Sequence, residues 1–264
     1  MRGHAVRWAI GLLVLSAMFQ PRAAMSLEKG ASGRTRGVEL TTIIELETTA
    51  RLLAILLDSG RSVINENQPL FDDPERAEKG FTPTLFEKQL QEVFRNRSGI
   101  DLTDLNAARV PSSGKPLLKI LVDAGKQVVS EAQPEINRKG VGFKGFIPAV
   151  FGERVGRVFT ARTGVRLKQT SLAVRNPANA PDAAERVALE AFADPSYPRE
   201  KIISDVTKQS NAVRLMFPLY TTRQCLDCHG EPKGQLDRTG YPREGFKLGQ
   251  NAGAISVMIP LRNK

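Results

Sequence analysis

Histidine and cysteine are scarce in this chain, with two of each in 264 residues. Both cysteines and one histidine fall in a single stretch, "QCLDCHG" at 224–230, and the other histidine is His4. A multi-histidine zinc site is thereby excluded, and so is a Ser-His-Asp triad that does not use His229. Tryptophan occurs once, at Trp8, and aromatics make up 6% of residues, with no basic cluster interleaved among them as base stacking would need. Long apolar runs are missing too. The longest, "WAIGLLVLSAMF" at 8–19, falls short of the roughly 20 residues a membrane span requires.

That run follows a cationic start (Arg2, His4, Arg7) and precedes the small residues Ala23, Ala24 and Ser26, the order of a secretory signal peptide. Residues 1–24 are therefore expected to be a signal peptide, with an uncleaved anchor as the alternative. The mature protein is expected in the periplasm, with no membrane span after cleavage. The formal charge is +10, of which Arg2, Arg7 and Arg22 carry three units, leaving +7. Export argues against nucleic acid as a partner. The positive surface either steers docking to an acidic partner or simply solvates helix faces.

What is present in quantity is a repeat. "LLAILLDSGRSVINENQP" (52–69) matches "LLKILVDAGKQVVSEAQP" (117–134), and "KGFTPTLFEKQLQEVFRNRSGIDL" (79–102) matches "KGFIPAVFGERVGRVFTARTGVRL" (144–167), both at an offset of 65. This is a duplication. Each copy reads as helix, loop, helix. In the second, Leu117, Ile120, Leu121, Ala124 and Val128 share one face, and Pro148 opens a helix that turns Val150, Phe151, Val155, Val158 and Phe159 inward before Gly164. The first repeats this with Ile55, Leu56, Leu85, Phe86, Leu90, Val93, Phe94 and Gly99, behind a longer helix from about Val38. Lys79 and Lys144 recur in the repeat, which points to a structural use of that loop.

Beyond residue 164 the pattern changes. A strand is expected over 165–174, a helix from about Pro181, strands in "KIISDV" and "NAVRLMFPLY", a Gly- and Pro-rich loop, and a closing strand "GAISVMIPL". The class is α+β, with a helical arm over 38–110 and a second unit over 116–264 that holds the second copy (116–169) and the sheet.

"CLDCH" has the spacing of a c-type haem attachment site. Two cysteines span the vinyl edge of the macrocycle, and the next residue turns back toward the iron. The competing readings are a surface disulfide, favoured by export, a thioredoxin-like redox pair, and zinc. The redox pair lacks its βαβ setting, and zinc would need two more ligands. One covalent haem c on Cys225 and Cys228, with His229 as proximal iron ligand, is the expectation.

"TSLAVRNPANAPD" (170–182), "PLYTTRQCLDCHG" (218–230), "TGYP" (239–242) and "GAISVMIP" (253–260) together resemble the periplasmic haem-binding PAS-like family, over about residues 117–262. The resemblance implies a PAS-like antiparallel sheet, a covalent haem in its pocket, and redox or ligand sensing. Members of that family can draw the second axial ligand from a cysteine on the helix before the sheet. Here Val129 and Ser130 stand in that region, so the chain departs from that pattern.

The distal position is open to three readings: a thioether from Met216 or Met258, a weak nitrogen or oxygen ligand including water, or a vacant site. Either methionine could equally be core packing. Arg175, Asn176 and Asn179 resemble the family's pocket edge, though the asparagines also suit a turn and a helix cap. Tyr241 is a further candidate at the haem edge.

The function expected is a mono-haem sensor or binding module for redox state or a diatomic gas. The alternative is an electron-transfer cytochrome c with methionine as second axial ligand. An enzyme is not expected, because no histidine remains for acid–base work on the distal side. No kinase, cyclase or methyl-accepting segment lies within residues 1–264, so a signal is expected to pass to a separate redox or signalling protein. The two helical copies are expected to pair with each other, giving a monomer.

Overall fold

The computed structural model describes residues 29–207 and 211–261, with side chains from Leu40 onward. The signal-peptide expectation, with His4 and Trp8, lies outside the described residues. From Leu40 the chain makes one compact unit. Among the described residues no helix is long and apolar enough to cross a membrane.

Six helices come first: α1 (Lys29–Glu66), α2 (Gln68–Phe71), α3 (Pro83–Ser98), α4 (Gly114–Glu131), α5 (Gln133–Ile136) and α6 (Pro148–Thr163). The bounds of α5 and α6 are those of α2 and α3 moved by the same offset of 65 as the sequence repeat. The caps repeat as well, since α3 and α6 both begin at proline and both stop at a left-handed glycine, Gly99 and Gly164 at φ 72°. Helix α1 starts earlier than the expected Val38. A strong helix propagates at one hydrogen bond per residue fixed, which carries it back through a Gly-rich stretch.

The two copies pack on each other around the phenylalanines. Phe151 of the second copy lies against Gly60 of the first, where an added Cβ would come within 2.8 Å of its ring. Phe86 lies against Gly125 in the same way, at 2.9 Å, and the two rings meet at 5.4 Å between centroids. Gly60 and Gly125 are themselves one offset apart, so the packing is reciprocal. Lys79 and Lys144, both buried, point their ammonium groups into carbonyls of the joining loops. Lys79 Nζ donates to the carbonyls of Asp73 and Arg76, and Lys144 Nζ to those of Phe71 and Val141 (2.5 Å each) and Asp73 (3.4 Å).

The sheet comprises β1 (Arg166–Thr170), β2 (Ile203–Thr207), β3 (Ala212–Tyr220) and β4 (Asn251–Pro260), antiparallel, in the order β1-β4-β3-β2. One face, with Leu167, Leu215, Ile255, Val257 and Ile259, joins the helical core. The other is covered by α7 (Ala183–Ala193), whose Ala188, Leu189 and Phe192 pack on Met216 and Ala254. The architecture is α+β. Strand β1 is shorter than the expected 165–174. It pairs with β4 only from Arg166↔Met258 to Thr170↔Ala254, and the chain then turns toward the loop before β4.

Candidate functional site

The cysteine–histidine stretch forms a single helical turn, α8 (Leu226–His229), with Cys225 as its N-cap residue. His229 N–H donates to the Cys225 carbonyl at 2.9 Å, which sets Cys225, Cys228 and His229 at helical spacing. Gly230 ends the turn. Its N–H returns to the Leu226 carbonyl at 2.9 Å, and a Cβ there would sit 2.5 Å from that same oxygen. The glycine after the histidine is therefore a requirement of close backbone approach. Cys225 and Cys228 stand as separate thiols, and burial pushes the Cys228 thiol above its usual range.

The loop after α8 folds back on His229. Phe246 N–H donates to the His229 carbonyl at 2.8 Å, and the two rings stack at 6.2 Å with 28° between planes. Glu244 Oε2 lies 2.8 Å from His229 Nδ1. An ionised carboxylate only accepts, so Nδ1–H is the donor and Nε2 keeps the lone pair a metal would take. Burial alone would raise Glu244, but hydrogen bonds from Arg175 and His229 outweigh it and hold the carboxyl below its usual range. Arg175 grips Glu244 through Nε (2.6 Å) and Nη2 (2.8 Å). It also meets Asp237 at 2.6 Å and the Cys228 carbonyl at 3.0 Å. Its guanidinium sits 5.6 Å from the Tyr241 ring centre. Asp237 caps the turn through Thr239 and the Tyr241 N–H.

Cys225, His229, Glu244 and Phe246 line a cavity of about 710 Å³, within the size range of cofactor pockets. Its other walls come from α1 (Asp58, Arg61, Ser62, Asn65), the start of α6 (Pro148, Ala149), the turn after β1, and β3 (Phe217, Leu219, Tyr220). Asn65 donates to Gln224 Oε1 at 2.9 Å, tying the first helical copy to the turn that bears the cysteines. Three arginines, Arg61, Arg97 and Arg199, also face the cavity, and Arg61 Nε is buried there with no hydrogen-bond partner. The Arg61 guanidinium itself is paired, its Nη1 donating to Asp58 Oδ1 at 2.6 Å.

The sequence candidates separate clearly. Arg175, Asn176 and Asn179 line the cavity with Cys225 and His229, whereas Tyr241 does not line it and instead packs its ring under Arg175. Asn176 spends its side chain on a cap, accepting from Ala178 N–H at 3.0 Å, as the turn reading required. Met216 and Met258 do not line the cavity. Met216 is buried on the sheet face under α7, and Met258 Sδ, in register with Arg214, accepts from its Nη2 at 3.9 Å. Alternation along each strand turns both side chains to the face opposite the helical core. Val129 is buried in the helical core and Ser130 is exposed, so neither faces the cavity. The helices that do are α1, α3 (Val93, Arg97) and the start of α6. Glu244, Asp237 and Phe246 were missed, since acidic and aromatic residues scattered in a loop carry no periodic signal.

Comparison with known proteins returns no match among curated sequences. Among solved structures, a crystal structure of the cyanobacterial heme-protein Tll0287 is similar to this chain at 18% identity. The alignment covers 58% of this chain and 98% of that one, at a TM-score of 0.40. The model of the Tll0287-like family matches residues 39–260. A match over that much of the sequence places the chain: it belongs to the Tll0287-like family.

Proposed function

We propose that this chain is an exported protein carrying one haem c, bound through Cys225 and Cys228 with His229 as axial ligand, and acting as a non-catalytic sensor of redox state or of a small ligand. When bound, the haem supplies an iron that changes oxidation state and accepts a diatomic ligand. The observation that carries this reading is the anchoring of His229 Nδ1 by Glu244 at 2.8 Å, which presents Nε2 as the ligand atom beside Cys225 in the cavity wall. The family takes its name from Tll0287, a cyanobacterial heme-protein, and membership supports haem binding.

The chain's own residues divide the remaining work. Cys225 and Cys228 provide the thioether sulfurs. Arg175 and Asp237 hold the loop that holds His229. Arg199 offers positive charge to acidic groups on the haem rim. An electron carrier needs a saturated iron, and the two methionines that could saturate it face away from the cavity. The sensor reading is favoured for that reason.

The test is the optical spectrum of protein matured in a haem-attaching periplasm, reduced, with and without carbon monoxide. A haem that stays with the chain after denaturation, in a ratio of one, and a prompt band shift with carbon monoxide are expected. Bands that ignore carbon monoxide would restore the carrier. Haem lost on denaturation, or never taken up, would return Cys225 and Cys228 to a disulfide.

A further inference from the structure

The acidic loop behind His229 has a geometry that a simple structural prop does not require. Glu244 Oε2 lies 2.8 Å from His229 Nδ1. The same carboxylate takes two hydrogen bonds from Arg175, at 2.6 and 2.8 Å, and Arg175 ends on Asp237 at 2.6 Å, whose side chain is fully buried. The order is imidazole, carboxylate, guanidinium, carboxylate. Each member is fixed by the next.

We propose that Glu244 is a positioning residue that sets the electron density on Nε2 of His229, and that Arg175 limits how much of the carboxylate's charge reaches the ring. This inference rests on the haem reading above. An anionic acceptor pulls the Nδ1 proton toward itself and makes Nε2 a stronger donor than a carbonyl acceptor would. A stronger axial donor stabilises ferric over ferrous iron, so the potential is held low. Arg175 occupies both oxygens of Glu244 and draws off part of that charge, so the proton stays on His229. Phe246, stacked on the ring, keeps it in the orientation that the hydrogen bond requires.

The experiment compares reduction potentials of haem-loaded wild type, Glu244→Gln and Glu200→Gln. Glu200 also lines the cavity and serves as the control for charge alone. Glu244→Gln is expected to shift the reduced-to-oxidised ratio at fixed potential about tenfold toward reduced, ~59 mV for a one-electron couple, and Glu200→Gln by less than a third of that. Equal shifts in the two variants, or none in Glu244→Gln, would overturn the proposal while leaving the haem reading standing. A second readout needs no variant. The chain has two histidines, so nitrogen-15 histidine labelling of the reduced protein, with carbon monoxide added if it binds, reads the Nδ1 environment directly. A strongly hydrogen-bonded Nδ1 is expected, and a resonance like that of unbound neutral imidazole overturns the proposal even if Glu244→Gln fails to mature. Absence of a pyridine haemochrome in wild type is a different failure: it removes the haem reading and this inference with it.

Discussion

Replacing Arg175 with alanine isolates the contribution of the network behind the candidate haem turn. Arg175 is 19% exposed and holds Asp237 (0%) and Glu244 (13%). Truncation leaves two carboxylates in a poorly solvated loop without their shared cation. Breaking a fully buried ion pair in this one-sided way costs about 3–5 kcal/mol. Arg175 touches solvent, and Asp237 keeps its bonds from Thr239 and Tyr241, so the lower end, about 3 kcal/mol, applies. The loss should be local, because apart from Arg238, which pairs with Asp72 and lies over the Phe143 ring, this part of the loop is held mainly by its own backbone ladder. That ladder includes Gly234 N–H to Arg243 O, Asp237 N–H to Tyr241 O, and Arg243 N–H to Gln235 O, each at 2.9 Å. Amide exchange at Gly234, Asp237 and Arg243 is expected to speed up about 100-fold, while α4 and α6 stay protected. Arg175→Lys keeps the charge but cannot span both carboxylates, so it should recover about half of the loss in free energy. Exchange within about threefold of wild type at these amides, or a uniform increase along the chain, would refute the network as the element holding the loop.

Two further predictions concern stability. Gly60→Ala and Gly125→Ala should each destabilise by about 1 kcal/mol in urea unfolding, since overpacking against Phe151 or Phe86 exceeds the helix-propensity gain of alanine. The double variant should cost less than the sum, because the two rings it displaces are in contact; a stability gain at either site would count against reciprocal packing. Arg214 holds Asp182 down to about 2 through hydrogen bonds of 2.7 and 2.9 Å. Its folded value is depressed, so its stabilisation is present above the ordinary 3.8 and is lost as pH falls toward 2. With a third of the side chain facing water the effect is about 1 kcal/mol, and unfolding curves of wild type and Asp182→Asn should converge across that window; a constant gap would exclude it.

The helical arm was legible because hydrophobic period, proline starts and glycine stops agreed at every step, and because the ungapped repeat let each copy check the other. The sheet was legible from β-branched runs, but the end of β1 was not. Its extent depends on where β4 stops pairing, a fact about residues more than eighty positions away. At the site, Cys225, Cys228 and His229 announced themselves by spacing, and Arg175 by resemblance. Glu244 did not. It lies fifteen positions after His229, and nothing local distinguishes a carboxylate that folds back from one that points to water. Val129 and Ser130 stand where the resemblance would place a ligating cysteine, and α4, which carries them, contributes nothing to the cavity wall. The helical wall draws instead on α1, α3 and the start of α6, and α1 is joined to the cysteine-bearing turn by a contact between Asn65 and Gln224, 159 positions apart.

That wall gives the duplication a physical consequence. The α1 residues Asp58, Arg61, Ser62 and Asn65 have counterparts in Asp123, Lys126, Gln127 and Ser130 of α4. The α4 set lines no part of this cavity. Lys126 pairs with Glu87 at 2.6 Å, Gln127 accepts from Arg162, and Asp123 and Ser130 are exposed. Two helical copies thus share one sheet, and the sheet closes its cavity largely on the first copy, with Pro148 and Ala149 as the second copy's share of the wall. In a chain with one copy, that wall would have to come from a second molecule. Here it is supplied within the chain, and the reciprocal packing of Phe86 and Phe151 buries the surface through which two separate arms would meet. The protein should therefore run as a monomer in light scattering at any concentration from micromolar upward, with or without haem. A dimer that persists on dilution would mean that another face carries association, and that the first copy is not a substitute for a partner's arm.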